Sequence, residues 1–378
     1  MLLAAMMTAA ILPAAFAQSV SYQMDDGLVY VVTSEEEKTV TLSDGHAYEG
    51  DLVIPETIYV PETGTTYRVT AIDIYAFGSW SEELASHVTS VTIPDGVTRI
   101  GEYAFWNCNS LTSVTIPGSV TDFGEHAFHD CRGLTSVTVS EGVTSIGRRA
   151  FYDCRNLASV TLPQSLVSIE EFAFHQCFEL KELSIPDGVT SIEGGAFYRC
   201  RGLTSLTIPK GVTRIEPQAF YGLSGLTSLT IPEGVTSIET YAFWNCTGLT
   251  SVSIPGSVTS IAKDAFGNDS KLKDIYFGGS QSQWEQFEVA SSYNVTKATV
   301  HYNSSAPAPE AGSDPSPGAS SAPSPGASSA PSGGPAGPGS DPSSPGGGPS
   351  PAVIAVVIVI VAAGVFCFLY FGKKNKRS

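Results

Sequence analysis

Between residues 67 and 277 the hydrophobic positions return with a period of 23 residues. Leu111, Leu134, Leu157, Leu180, Leu203, Leu226, Leu249 and Leu272 mark one phase of it. An Ala-Phe pair marks another, at Phe77, Phe105, Phe128, Phe151, Phe174, Phe197, Phe220, Phe243 and Phe266. Within the unit that opens at Leu111, the apolar residues are Val114, Ile116, Val120, Phe123, Ala127, Phe128 and Cys131. Leu-x-x-Val-x-Ile ends in strict alternation, which predicts a short strand with one face inward. A Pro with Gly or Ser two residues on (Pro94-Asp95-Gly96, Pro117-Gly118-Ser119) then turns the chain. Val-Thr-Ser-Ile predicts a second short strand, and Ala-Phe-x-x-Cys a helical or 3-10 turn on the outer side. One such unit cannot bury its own apolar face, so successive units must stack as a solenoid.

The flanks follow other patterns. Residues 1–17 are apolar and end in Ala15-Phe16-Ala17, which reads as a secretory signal peptide. Residues 18–66 read as an N-terminal cap holding a degenerate first repeat, Leu52-Val53-Ile54-Pro55, and residues 278–303 as a C-terminal cap. Residues 304–351 are almost wholly Pro, Ser, Gly and Ala, a composition that cannot bury a core and predicts a disordered stalk. As a flexible coil it would reach about 40 Å. Residues 352–371 are uninterrupted by charge, enough for one transmembrane helix of about 30 Å. The tail 372–378 carries Lys373, Lys374, Lys376 and Arg377, which places it in the cytoplasm.

Charge sharpens this division. The chain has 20 basic and 37 acidic residues and a net charge of −17; without the four basic residues of the tail, the remainder stands near −21. Such a field repels nucleic acid.

The repeated string Leu-x-x-Val-x-Ile-Pro-x-x-Val-x-x-Ile-x-x-x-Ala-Phe-x-x-Cys resembles the treponemal-type leucine-rich repeat of BspA-like surface proteins. The segment from Ile275 to Asn303 also resembles the closing unit of such arrays. The resemblance implies a right-handed leucine-rich-repeat superhelix with a parallel β-sheet, displayed on an exported protein and associated with adhesion to host proteins, host cells or other microbes. The fold does not itself fix the function.

Several residues invite chemistry. Cys108, Cys131, Cys154, Cys177, Cys200 and Cys246 share one phase of the repeat, but Leu223 occupies the same phase. A slot that accepts Leu is apolar, so buried thiols are expected there rather than disulfides. His126, His129 and His175 are expected on the surface, too scattered for a compact metal site. Glu170, Glu193, Glu216 and Glu239 repeat in consecutive units, and a Ca²⁺ ion would relieve their repulsion; a solvated edge is the competing reading. No catalytic constellation emerges, and no cofactor is implied.

Two outward faces remain for binding. Ser113/Thr115, Ser136/Thr138, Ser159/Thr161, Ser205/Thr207 and Ser228/Thr230 make a hydroxyl face on the strands. The residue after each Ala-Phe is Trp106, His129, Tyr152, His175, Tyr198, Tyr221 or Trp244, with Tyr103, Phe172 and Tyr241 just before the Ala widening the column. Trp and Tyr are favoured interface residues, though rings lying over the next unit would equally shield the turn. The sequence thus predicts a non-enzymatic, membrane-anchored adhesin. Its partner would be a surface protein of a host or neighbouring cell, a matrix protein or a glycan. The alternatives are a carbohydrate-binding envelope module and a surface spacer without a ligand.

Overall fold

A computed structural model describes residues 20–79, 87–291 and 295–305. Residues 1–17, expected as a signal peptide, the expected stalk beyond Ser305, the apolar segment 352–371 and the basic tail lie outside the described residues. Among the described residues no helix is long and apolar enough to cross a membrane.

The repeats form a solenoid whose coils pair strand to strand in parallel. Glu49–Val53, His87–Thr92, Ser113–Ile116, Ser136–Val139 and Ser159–Thr161 make one sheet. Its register is one repeat per step, with Val91, Val114, Val137 and Val160 side by side. The second short run of each unit forms two-residue strands such as Arg99–Ile100 and Asp122–Phe123. That column continues into the antiparallel strands Ser21–Gln23, Val29–Ser34 and Thr39–Asp44 through Thr65–Ile72, so the N-terminal segment caps the first coil by sheet extension. At the other end the helix Gln281–Trp284 is fixed by a capping box between Ser280 and Gln283. It brings Trp284 and Phe287 onto Phe277, with ring centroids 5.4 and 5.6 Å away, and closes the apolar end.

The core is a ladder of identical side chains. The Ala-Phe phenylalanines are fully buried and stack ring on ring, with centroids 4.9 Å apart at Phe77–Phe105 and 5.5 Å at Phe174–Phe197. The six cysteines of the repeat are buried free thiols, and Leu223 fills the slot between Cys200 and Cys246. Their thiols donate to carbonyls of the preceding coil, as Cys131 Sγ does to Phe105 O (3.0 Å) and Cys154 Sγ to Phe128 O (3.1 Å).

The Ala-Phe segment is neither an α-helix nor a 3-10 helix. In the seven coils from Phe105 to Phe243 two residues with left-handed backbone flank the Ala-Phe-x core: Tyr103 and Asn107 in one, His126 and Asp130 in the next, Arg149 and Asp153 in the third, these six with φ between 52° and 61°. This alternation turns every second peptide the same way along the solenoid. The N–H groups of Tyr103, Phe105 and Asn107 donate to the carbonyls of Glu125, Ala127 and His129 at 3.1, 2.8 and 2.9 Å, and the pattern repeats coil after coil. These peptide dipoles add instead of cancelling, so carbonyls face out at the N-terminal end. There Gly45 N–H donates to Ala76 O (2.8 Å), and His46 Nε2 lies 2.9 Å from Gly78 O. His46 Nδ1 lies 2.9 Å from Asp44 Oδ1. Both ring nitrogens thus face acceptors, which calls for the doubly protonated ring; the Asp44 bond foremost, then the Gly78 carbonyl, raises the His46 pKa.

The strand sheet is interrupted in the middle. Around residues 181–185 pairing falls to a single bridge between Ser159 and Glu182, and residues 204–208 join no sheet. The sheet resumes at Ser228–Thr230. Departures from the pattern coincide with the gap. Leu183 and Leu206 stand where the coils of the first sheet place Val, a β-branched residue that fits a pleated surface better; Leu229 stands there too, yet pairs with Val252. Ala158 and Lys181 replace the threonine whose hydroxyl elsewhere donates to the previous coil, as Thr135 Oγ1 does to Thr112 O (3.0 Å). Leu206 is left only partly buried. Hydrogen exchange should expose the interruption: amides of 204–208 are expected to exchange roughly tenfold or more faster than those of 113–116. Equal protection in both would mean that the sheet is continuous in solution.

Candidate functional site

The residues after Ala-Phe form a column along one side of the solenoid, continuously stacked from Tyr152 to Tyr221. Centroids are 4.1 Å apart for Tyr152–His175, 4.5 Å for His175–Tyr198 and 4.4 Å for Tyr198–Tyr221, with interplanar angles of 7°, 6° and 13°. His129 meets Tyr152 edge to face at 4.8 Å, and Trp106 lies 6.3 Å from His129. Trp244 lies over Gly267, where an added Cβ would stand 2.0 Å from its ring carbons. The ring faces are therefore spent on one another. What the column offers to solvent is ring edges, hydroxyls and ring nitrogens.

A second row runs beside it at the residue before Ala. Tyr75, Tyr103 and His126 stack at 4.9 and 4.6 Å. Tyr103 touches Trp106 edge to face at 5.6 Å, and Tyr241 touches Trp244 in the same way at 5.2 Å. Tyr241 is the most open of these rings, at 37% exposure. Between them the row changes character, reading Arg149, Phe172, Gly195 and Gln218. The Arg149 guanidinium lies 5.3 Å from the Phe172 ring centroid, and Phe172 leans into the space that a side chain at Gly195 would need.

Where the row thins, an open concavity of about 500 Å³ appears, lined by His126, His129, Arg149, Tyr152, Phe172, His175, Tyr198 and Gln218. Burial, chiefly, pushes the His129 and His175 pKa values down to about 4, and lowers that of His126. At neutral pH these imidazoles are uncharged. Arg149 is thus the one charged residue of the lining. Glu125, the nearest carboxylate, is shared: it pairs closely with Arg148 and reaches Arg149 Nη1 only at 3.4 Å.

The spacing of the sequence marked the aromatic residues but not Arg149 or Gln218, whose role follows from what their row lacks. The readable signal was the departure from an aromatic series at 149, 195 and 218.

The glutamate column already has donors. Glu170 accepts from Ser145 Oγ (2.8 Å) and Arg148 N–H (2.9 Å), and Glu193 from Glu171 N–H (3.2 Å). Arg214 lies 3.2 Å from both Glu216 and Glu239. Among the described residues no group of three or more His, Cys, Asp or Glu converges on a metal position. The strand hydroxyls, Ser113 and Thr115 among them, are exposed on the first sheet.

Nine Ala-Phe coils paired in parallel define a leucine-rich-repeat solenoid. The sequence model of the BspA type leucine rich repeat region matches in six copies across residues 70–204 and 190–306, and the chain belongs to that family. Among solved structures, a leucine-rich repeat protein from Bacteroides ovatus is 26% identical, over 74% of this chain and 76% of that one, with a TM-score of 0.54. A leucine rich cell surface protein from Faecalibacterium prausnitzii is 27% identical over 70% of this chain and 96% of its own, with a TM-score of 0.31. The pneumococcal vaccine antigen PcpA is 16% identical over 75% of this chain and 98% of its own, with a TM-score of 0.33. No curated protein matches the sequence significantly.

Proposed function

We propose that the protein is a non-catalytic cell-surface adhesin that holds a protein or glycan of another cell or of the surrounding matrix against its aromatic face. Residues 1–17 would direct export, 304–351 would hold the solenoid away from the bilayer, and 352–371 would anchor it. The observation that carries this reading is the recurrence, coil after coil, of half-buried Trp and Tyr side chains along one side, with His126 and His175, expected on the surface, buried among them. Such side chains supply contact area with little entropy left to lose, because stacking already fixes their rotamers. Weak contacts at many copies on a cell would add by avidity.

The test is binding of the purified full chain, in detergent, to arrayed matrix proteins and glycans. A variant with Trp106, Tyr152, Tyr198 and Trp244 changed to Ala serves as comparison, after circular dichroism has shown it folded. Loss of binding in the folded variant is the expected result. Undiminished binding would move the contact to the strand hydroxyls or the caps, and a wild-type chain that binds nothing would be a spacer.

A further inference from the structure

We infer that the concavity between Arg149 and Gln218 is a subsite for a carboxylate-bearing saccharide, with Arg149 taking the carboxylate. The inference rests on the reading of the aromatic side as the contact face and names the chemistry of what docks there.

The first ground is charge. The chain carries 37 acidic residues against 20 basic ones, yet this concavity is lined by one cation and by no carboxylate. Glu125, 3.4 Å from Arg149 and 3.2 Å from His126, stands just outside the lining and is shared with Arg148, so the arginine keeps charge to attract an anion into a hollow of an acidic protein.

The second ground is the state of that arginine. Its guanidinium lies against Phe172, and its nearest polar contacts are long, with Nη1 3.4 Å from both Glu125 Oε1 and His126 Nε2. Glu125 is held more closely by Arg148, which also binds Glu171 at 2.8 Å. A guanidinium stacked on a ring keeps its edge for a planar acceptor, and a carboxylate matches that edge with two parallel hydrogen bonds.

The third ground is the rest of the lining. Tyr152 and Tyr198 bring hydroxyls, Gln218 an amide, and His129 and His175 uncharged imidazoles. Each of these both donates and accepts, as the hydroxyls of a sugar require. Phe172 adds an apolar wall for the C–H face of a pyranose ring. The volume of about 500 Å³ falls within the range of small-ligand sites. An acidic peptide would present the same carboxylate, but it would leave its backbone groups facing ring edges, with no strand edge among the lining residues to pair with.

The experiment uses the full chain in detergent and calorimetric titration with three saccharides: trigalacturonate, its methyl ester, and a sialylated trisaccharide. The first and third separate a uronate from a sialate source, and the ester removes the charge alone. Arg149→Gln is the variant, because the same row holds Gln218 in the same left-handed backbone (φ 58°), so the substitution copies a residue the coil accepts. Arg214→Gln, on the second-strand column, is the control. The expected result is binding of at least one acidic saccharide, weakened roughly tenfold or more by Arg149→Gln and by esterification, and unchanged by Arg214→Gln. Equal affinity for acid and ester, or equal affinity of wild type and Arg149→Gln, would overturn the assignment. Tighter binding of a glutamate-rich peptide than of either acidic saccharide would also overturn it. If no acidic saccharide binds while the arrayed matrix proteins still do, the subsite is wrong and the adhesin reading stands; if neither binds, both fail.

Discussion

Phe174→Ala is expected to lower the stability of the solenoid by about 3–5 kcal/mol, the cost of a large truncation in a close-packed core. Phe174 is fully buried and stacked on both sides, 5.4 Å from Phe151 and 5.5 Å from Phe197. Removing it strips one face from each neighbour and leaves a void between coils that cannot close without breaking register. Its place in the array adds to the effect. The strand sheet fails in the next coils, around 181–185 and 204–208, while the outer ladder continues through Phe174 N–H to Ala196 O (2.8 Å) and Phe197 N–H to Ala219 O (2.9 Å). Ser168–Ile169 still pairs with Ser191–Ile192, but neither strand column joins the coils of Phe197 and Phe220, so the phenylalanine stack and that ladder are the principal ties there. In a repeat protein, stability is a sum over coils and their interfaces, so a weakened interface separates the transitions on either side. Thermal unfolding of the variant should show two steps where the parent shows one. Phe266→Ala, at a ring with a partner at Phe243 only, should cost less. A Phe174→Ala melting curve superimposable on the parent would refute the register of the whole core.

Much of this was legible in the sequence, and the reason is repetition. A 23-residue period fixes which positions face inward, because a position that is apolar in every coil has one environment throughout. The inward cysteines followed from Leu223 in the same slot. The turn after Ala-Phe was misjudged as helical, since its short apolar spacing fits a helical turn equally well. Asn107, Asp130, Asp153, Gly222, Asn245 and Asn268 share one position there, and Asn, Asp and Gly are the residues that tolerate left-handed backbone; this was the available signal. The sheet interruption shows in the sequence as Lys181, Glu182 and Ser184, which replace the hydroxyl run of the other strands, with Leu183 and Leu206 in place of Val. The concavity was least legible, because its lining joins residues of two rows, His126, Arg149, Phe172 and Gln218 with His129, Tyr152, His175 and Tyr198, whose side-chain directions the 23-residue period alone does not give.

Stability is expected to peak near pH 6.5 and to fall on either side. His129 and His175 titrate at about 4 in the folded chain against 6.5 for the free side chain, mainly because burial disfavours the imidazolium. Arg149 reinforces this at both, and Asp153 opposes it at both. Between those two pH values the unfolded chain binds the proton and the folded chain does not. Their contribution is therefore complete above pH 6.5 and is lost as pH falls toward 4. Asp269 acts in the opposite sense. It is 1% exposed, accepts Cys246 N–H at 2.7 Å, and burial pushes its carboxyl up to about 8 from 3.8. The folded chain holds that proton where the unfolded chain has released it, so its contribution is lost as pH rises from 3.8 to about 8. His46, whose pKa is raised, adds to the alkaline side: its stabilisation of the first coil is present below about pH 6.5 and disappears as pH rises through its folded value. With His129, His175 and His126 against one carboxyl below pH 6.5, stability should climb with pH up to that point and decline above it, where Asp269 and His46 both lose their contributions. Two substitutions separate the limbs. His175→Tyr places in the column the residue it already holds at 152, 198 and 221, and should flatten the acid limb while keeping the stack. Asp269→Asn keeps the acceptor for Cys246 N–H and should flatten the alkaline limb. Urea midpoints measured from pH 4 to 8.5 would decide it, and a His175→Tyr profile parallel to the parent's below pH 6.5 would show that the imidazole is not held neutral by the stack.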